Sequence, residues 1–414
     1  MRELRDLIIR FIKMINIKME YNQQHRITCL LGAGAVVDIG GPFTDTITQQ
    51  IEKQNPFIAE ISLQLKLYYG DKGYNFEDVF HAIESLRSYS NIKTAVKGYK
   101  PILGAFTSQD NPKYFDSLEL IKAEQEILEI LSKLIVEYDN QITKCEHNWY
   151  INFWRELNNI LTLDIFTLNY DSTIQKSLID YTDGYEEVKG SNYFRFNPSK
   201  IIQTQKPRVI NLHGSIYYGY LNDKDINRYI LEDDFNEMYK YNQFKEAKET
   251  WTGRSSNYTQ SGEIAQISPI ITGLRKTDKL LTYPMSVYNN IFMNSVFTSP
   301  NLLVCGYSFG DKHINKIIEK ITSIHGQNRK IVLITYINDE AKRDWTPDTH
   351  AMEWLDNDTF TFIAKAFNES RPFENKYKYS NPMISKDGRV QIYFEGFKNT
   401  IEYYKEDIIK FFKD

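Results

Sequence analysis

The stretch Thr28-Cys-Leu-Leu-Gly-Ala-Gly-Ala-Val-Val-Asp-Ile-Gly-Gly-Pro42 constrains the fold more than any other part of the chain. A run of residues suited to a buried parallel strand ends in Gly32-Ala33-Gly34, and Gly40 and Pro42 follow. Glycines at the end of such a strand let the backbone come close to a phosphate. A helix that follows offers free N–H groups and the positive end of its dipole. The third glycine comes too late for the Gly-x-Gly-x-x-Gly spacing of dehydrogenases. A turn like this also serves as a plain strand-to-helix connection, so its meaning depends on what the rest of the chain brings beside it.

Apolar runs that suit strands recur at 27–31, 163–167, 209–212, 267–271, 302–305 and 331–335. Several are continuously apolar, as strands buried on both faces of a parallel sheet must be. Helical patterns follow at 172–179, 285–297 and 312–324. The alternation predicts an α/β fold, a Rossmann-like parallel sheet flanked by helices, over about residues 25–343. Between the first two strands the period is helical; Phe76, Val79, Phe80, Ile83 and Leu86 recur at helical spacing. We expect a helical module inserted at about 55–160 and a second, tyrosine-rich insertion at about 217–262 over the site. Residues 344–414 form a small C-terminal extension, with strands expected at 360–364 and 390–394 and an amphipathic helix at 399–412. Residues 1–24 carry Leu4, Leu7, Ile8, Phe11, Ile12 and Ile15, interrupted by Arg10 and Lys13, which reads as an amphipathic helix for packing or for a subunit contact.

A chain of 414 residues can bury a large core. Its net charge of −4 argues against direct binding to nucleic-acid backbones. No apolar run approaches the roughly 18 residues of a membrane span. Cys29, Cys145 and Cys305 lack Cys-x-x-Cys spacing, so a reduced, cytoplasmic setting without disulfides or a metal site is expected. Cys145 and His147 have metal-like spacing but no second pair beside them.

In open parallel sheets, ligands sit beyond the carboxyl ends of the strands. The residues just past the expected strands are Gly32-Ala33-Gly34, then Thr167, Asn169 and Asp171, then His213-Gly214. Gly306, Ser308, Asp311 and His313 follow the fifth strand, and Asn338 follows the sixth. Glycines, amides, a carboxylate and an imidazole thus collect on one edge, a plausible reactive constellation. Asn169 and Asp171 are equally suited to capping a helix that starts at Ser172, and Asp311 to capping the helix after it. His213 reads as a base or as a hydrogen-bonded structural histidine, and His313 as a packing or ribose-side residue.

Together these residues resemble the sirtuin family. Gly32-Ala33-Gly34 with Gly40 and Pro42 match its Gly-Ala-Gly-x5-Gly-x-Pro motif, and Thr167, Asn169 and Asp171 match Thr-Gln-Asn-x-Asp. His213-Gly214 matches the catalytic His-Gly, Gly306 and Ser308 match Gly-Thr-Ser, and Ile337-Asn338 matches the late Ile-Asn. The sequence looks most like divergent bacterial sirtuin-like proteins of antiphage defence, and resembles the stand-alone subunit that pairs with a HerA-type ATPase. It departs from the deacylases: Pro42 is followed by Phe43-Thr44-Asp45, and Val36, Leu168 and Tyr307 replace polar motif residues. Three scattered cysteines cannot supply the four thiolates of the deacylase zinc module.

The resemblance implies NAD as substrate and cleavage of its nicotinamide–ribose bond. Asn169 would orient ribose and water, and His213, ordinarily titrating at about 6.5, would accept a proton near neutral pH. Asp171 would hold its loop or orient a ribose hydroxyl. Gly32, Ala33 and Gly34 would hold the diphosphate near Ser308, with Gly40, Pro42, Thr167 and Gly306 completing the motifs. Asp311 and Asn338 would serve the adenosine ribose. The expected activity is an NAD glycohydrolase that depletes NAD in defence, held off by a homo-oligomeric assembly or an ATPase partner. A protein deacylase or ADP-ribosyltransferase, and a non-catalytic sensor of NAD or ADP-ribose, are the competing readings.

Overall fold

The computed structural model describes residues 26–70, 73–89, 117–221, 238–251, 269–273, 276, 280, 283–339, 357–368 and 380–413. The helix expected over 1–24 lies outside the described residues, as do 222–237 and 252–262 of the second insertion. Strand β1 (Arg26–Leu31) is followed by helices α1 (Thr44–Gln54), α2 (Pro56–Tyr69), α3 (Phe76–Tyr89), α4 (Ser117–Asp139) and α5 (Asn148–Ile160). The chain then enters β2 (Thr162–Thr167), the short strands β3 (Tyr185–Glu187) and β4 (Tyr193–Phe196), and β5 (Arg208–Asn211). After β6 (Tyr218–Gly219) and β7 (Tyr239–Tyr241) come α6 (Met285–Thr298), β8 (Asn301–Cys305), α7 (Lys312–Ile318) and β9 (Lys330–Ile334). Helix α8 (Asn357–Phe367), strands β10 (Met383–Ile384) and β11 (Val390–Tyr393), and helix α9 (Gly396–Lys413) complete it.

The main sheet has the order β10-β11-β9-β8-β1-β2-β5. Every neighbouring pair is parallel except β10 with β11. This is the α/β, Rossmann-like fold implied by the alternation of elements. The chain builds from β1 to β2 and β5 on one side, then returns to lay β8, β9 and β11 on the other. The direction of construction therefore reverses between β1 and β8, and a crevice opens there beyond the strand ends.

Residues of β1 alternate between two cores, as its period of two requires. Ile27, Cys29 and Leu31 join the core shared with the helices between β1 and β2 and with α9. Leu30 joins the core shared with α6, α7 and α8. Phe397 at the start of α9 is ringed by Tyr150, Phe153 and Trp154 of α5, with ring centroids 5.7, 5.7 and 5.9 Å away. That aromatic cluster and the β9–β11 pairing tie the C-terminal segment into the main body.

Two expected strands are not strands of the sheet. Residues 360–364 lie within α8, where Phe362, Ile363, Ala366 and Phe367 are buried at helical spacing. The alternation of Phe360, Phe362 and Ala364 mimicked a strand. Of 267–271, the described residues cross over the end of β5 and make one antiparallel bridge, Gly214 with Ile270. A second, antiparallel sheet, β3-β4-β7-β6, was not foreseen; its strands are two to four residues long and rich in tyrosine.

Candidate active site

A cavity of about 920 Å³ lies at the reversal point between β1 and β8. Gly32, Ala33, Gly34 and Pro42 reach it from beyond β1, Asn169 from beyond β2 and His213 from beyond β5. Gly306, Ser308 and Asp311 reach it from beyond β8. Gly40, Thr167, Asp171 and Asn338 are not on its wall.

The glycines are demanded first by the meeting of two backbones. A Cβ on Gly32 would sit 2.6 Å from the Gly306 carbonyl oxygen, and one on Gly34 would sit 2.8 Å from Gly306 Cα. Gly306 itself has φ 58°, and a Cβ there would lie 2.2 Å from the Ala35 nitrogen. The N–H of Gly34 donates to the Gly306 carbonyl at 2.9 Å, and that of Gly32 to Cys305 at 3.0 Å. The exposed Ala33 therefore carries the N–H best placed to meet a ligand. The next helix begins only at Thr44, after two short 3-10 turns, and has no side-chain cap. Gly40 adopts φ 98° and closes the second of those turns by donating to Val37 at 3.0 Å.

Asn169 is fixed on three sides. Its N–H donates to Thr167 Oγ1 at 3.0 Å, its Nδ2 donates to the Gly32 carbonyl at 3.1 Å, and its carbonyl accepts from Asn211 Nδ2 at 3.0 Å. Thr167, itself buried, thus positions the residue that lines the cavity, and the amide's Oδ1 is left as an acceptor. Asp171 is committed elsewhere. Its Oδ1 accepts from the N–H and hydroxyl of Thr173 at 2.9 and 2.5 Å, and its Oδ2 accepts from Tyr138 at 2.7 Å. Burial, then the neighbouring Asp139, raises its pKa. Of its two expected roles, holding the loop is the one its bonds serve.

His213 is held by its backbone. Its carbonyl accepts from the Ile271 N–H at 2.7 Å as residues 269–271 cross over it. Gly214, at φ 81°, must be glycine, because a Cβ would lie 1.9 Å from the Pro269 oxygen. His213 is 2 % exposed, and its Nε2 is buried without a hydrogen bond. Burial, reinforced by the Lys276 ammonium and His313 and opposed by Asp311, pushes its pKa down to about 3. The expectation of an imidazole titrating near neutrality is corrected: desolvation keeps the ring neutral throughout the physiological range.

Two further residues, Lys276 and Glu77, could not be found by motif. Lys276 Nζ lies 2.8 Å from Asp311 Oδ1 and 3.0 Å from Glu77 Oε1, and all three line the cavity. Glu77 is placed by Asn75, whose side chain accepts from the Glu77 N–H at 2.8 Å at the start of α3. Burial raises the Glu77 pKa despite Lys276. Asp311 occupies the N-cap position of α7 but makes no cap bond there. His313, one residue into that helix, lines the cavity with its ring 5.7 Å from that of His213. Ser308 is exposed at the mouth, while Asn338 is exposed outside the cavity and Tyr336 lines it in its stead. Cys29 and Cys305 are buried in adjacent strands and Cys145 is exposed. Among the described residues no group of three His, Cys, Asp or Glu is arranged to hold a metal ion, and no helix is long and apolar enough to cross a membrane.

No curated protein matches the chain. A family model for the SIR2-like domain matches residues 164–355, from within β2 to beyond Asn338. The stretch takes in Asn169, His213, Gly306 and Ser308, while the turn at 32–34 precedes it. The match, with the fold and the shared edge, supports a sirtuin-like chain whose activity is related to NAD.

Proposed function

We propose that the chain is an NAD glycohydrolase, releasing nicotinamide and ADP-ribose. The observation that carries this reading is the convergence of Asn169 and a neutral His213 on the cavity that also holds the Gly32–Gly34 turn. The Ala33 N–H and Ser308 would bind the diphosphate, and Asp311 would lie toward the sugar. Asn169 would orient the attacking water, and the His213 imidazole would accept its proton. Nicotinamide leaves as a neutral molecule and needs no acid; the sugar carbon it leaves is oxocarbenium-like. Thr167 and Asp171 hold the Asn169 loop. Residues 32–34 and 306 keep β1 and β8 close enough to form the cavity.

The resemblance to defence-associated proteins further suggests NAD depletion during phage infection, in a cytoplasmic homo-oligomer, alone or with a HerA-type ATPase. Deacylation would require support for an acyl-peptide cleft that three cysteines cannot supply as a four-thiolate zinc site. The test is release of nicotinamide from NAD by the purified chain, with and without an acyl-lysine peptide and with and without the ATPase. Peptide-independent release supports the hydrolase. Release only with peptide favours a deacylase, and binding without release in every condition favours a sensor.

A further inference from the structure

The loops that carry Asn169 and His213 are bonded to each other through three consecutive main-chain carbonyls. The Asn169 and Asp171 carbonyls each accept from Asn211 Nδ2 at 3.0 Å. The Tyr170 carbonyl between them accepts from the Ile216 N–H at 3.0 Å and from the Ser215 hydroxyl at 2.9 Å. Asn211 stands just before Leu212 and His213 in the chain, and Ser215 and Ile216 follow Gly214. Asn211 is fully buried at the end of β5, beside the equally buried Val209 and Ile210. Both hydrogens of its amide are engaged by the loop, and its Oδ1 accepts from Gln175 Nε2 at 2.6 Å. The amide is therefore held at both ends and cannot turn over without losing bonds.

We propose that Asn211 is a positioning residue of the hydrolase, fixing Asn169 relative to His213. The inference rests on the hydrolase reading and adds a residue to it. Asn211 is not on the cavity wall, so it acts through the Asn169 main chain. Asn169 has two anchors of different kinds. Its own side chain ties it to the glycine turn, with Nδ2 donating to the Gly32 carbonyl at 3.1 Å. Asn211 ties it to β5, the strand that leads into His213. Removing the Asn211 amide leaves the first anchor in place and releases the second. The bonds made by Ser215 and Ile216 hold Tyr170 and do not reach residue 169 itself. The turn that would hold the diphosphate is thereby kept, while the spacing of the two groups that act on the attacking water is loosened. A misplacement of about 1 Å at such a group costs on the order of a hundredfold in rate.

The test compares Asn211→Leu and Asn211→Asp with the unmodified full chain. Leucine is close in size and offers no donor. Aspartate keeps the shape and the acceptor facing Gln175 but offers the two carbonyls one hydrogen at most. Nicotinamide release is followed over a range of NAD concentrations, at a temperature where circular dichroism shows the proteins folded, and ADP-ribose binding is measured by calorimetry. In both variants kcat per folded molecule is expected to fall by about tenfold to a hundredfold, with KM and the ADP-ribose dissociation constant within about twofold of the unmodified chain. A kcat that stays within about twofold in a folded variant, or a rise in KM that accounts for the whole loss, would overturn the positioning role. Failure of both variants to fold would assign Asn211 to the fold and overturn it as well. The two levels separate in the same assay. If the unmodified chain turns over and the variants match it, the positioning role alone fails. If the unmodified chain releases no nicotinamide, the hydrolase reading fails and the positioning role with it.

Discussion

The two ends of the same strands are built on opposite principles. At the amino end, Asp164 of β2 is fully buried and meets Arg26 of β1, Arg208 of β5 at 3.5 Å and Ser295 of α6 at 3.1 Å. Ser295 and Thr28 share a further hydrogen bond of 2.7 Å. At the carboxyl end, two imidazole nitrogens are buried with no partner, and Asn169 lines a cavity. A buried charge is tolerated where it is paired, and an orphan polar atom costs stability unless a ligand meets it. The amino end therefore pairs its buried charges, although Arg208 Nε is left without a partner there, while the carboxyl end leaves ring nitrogens of both cavity histidines unpaired.

This contrast should separate activity from stability by mutation. His213→Ala is expected to lower nicotinamide release by about a thousandfold, with the unfolding free energy changed by about 1 kcal/mol or less. Asp164→Ala should do the reverse. It strands Arg26 and Arg208, whose side chains are 14 % and 11 % exposed, and should cost about 3–5 kcal/mol in denaturant unfolding while the folded fraction still binds ADP-ribose.

Acid should act on the carboxyl end. In the unfolded chain His213 binds a proton near its ordinary value of about 6.5, but in the folded chain only near about 3. Its contribution to stability is thus whole above the higher value and is lost as pH falls toward the lower, by on the order of a few kcal/mol. The groups facing it are Lys276, Asp311 and His313. Melting curves from about pH 8 to about pH 4 should therefore fall less steeply for His213→Ala than for the unmodified chain.

Smaller effects sharpen the boundary between the two regions. Gly34→Ala forces a Cβ to within 2.8 Å of Gly306 Cα and should cost about 1–3 kcal/mol while weakening ADP-ribose binding, measured by calorimetry. Tyr138→Phe removes the 2.7 Å bond to Asp171 and should cost about 1 kcal/mol in denaturant unfolding.

The carboxyl end was the more legible of the two in the sequence. Strand ends announce themselves by apolar runs stopping at glycine or a polar residue, so the positions of Gly32, Asn169, His213 and Gly306 could be ordered along one edge without coordinates. What those groups are bonded to could not. The Gly34 N–H is spent on Gly306, and Asp171 on Thr173 and Tyr138, through contacts that only packing creates. Lys276 and Glu77 lie 199 residues apart in sequence and belong to no motif; they meet because α3 and the segment carrying Lys276 both reach the cavity. The ion network around Asp164 was invisible for the same reason. In α8, a local alternation of Phe360, Phe362 and Ala364 outweighed the helical spacing of the residues actually buried. The short strands β3, β4, β6 and β7 are too brief for any period to register.

The most direct test of this division is one measurement on the full chain: nicotinamide and ADP-ribose counted together after incubation with NAD, for the unmodified protein and for His213→Ala. The account requires the two products in equal amounts from the unmodified chain and neither above background from the variant, which still binds ADP-ribose. Equal rates from both proteins would contradict it.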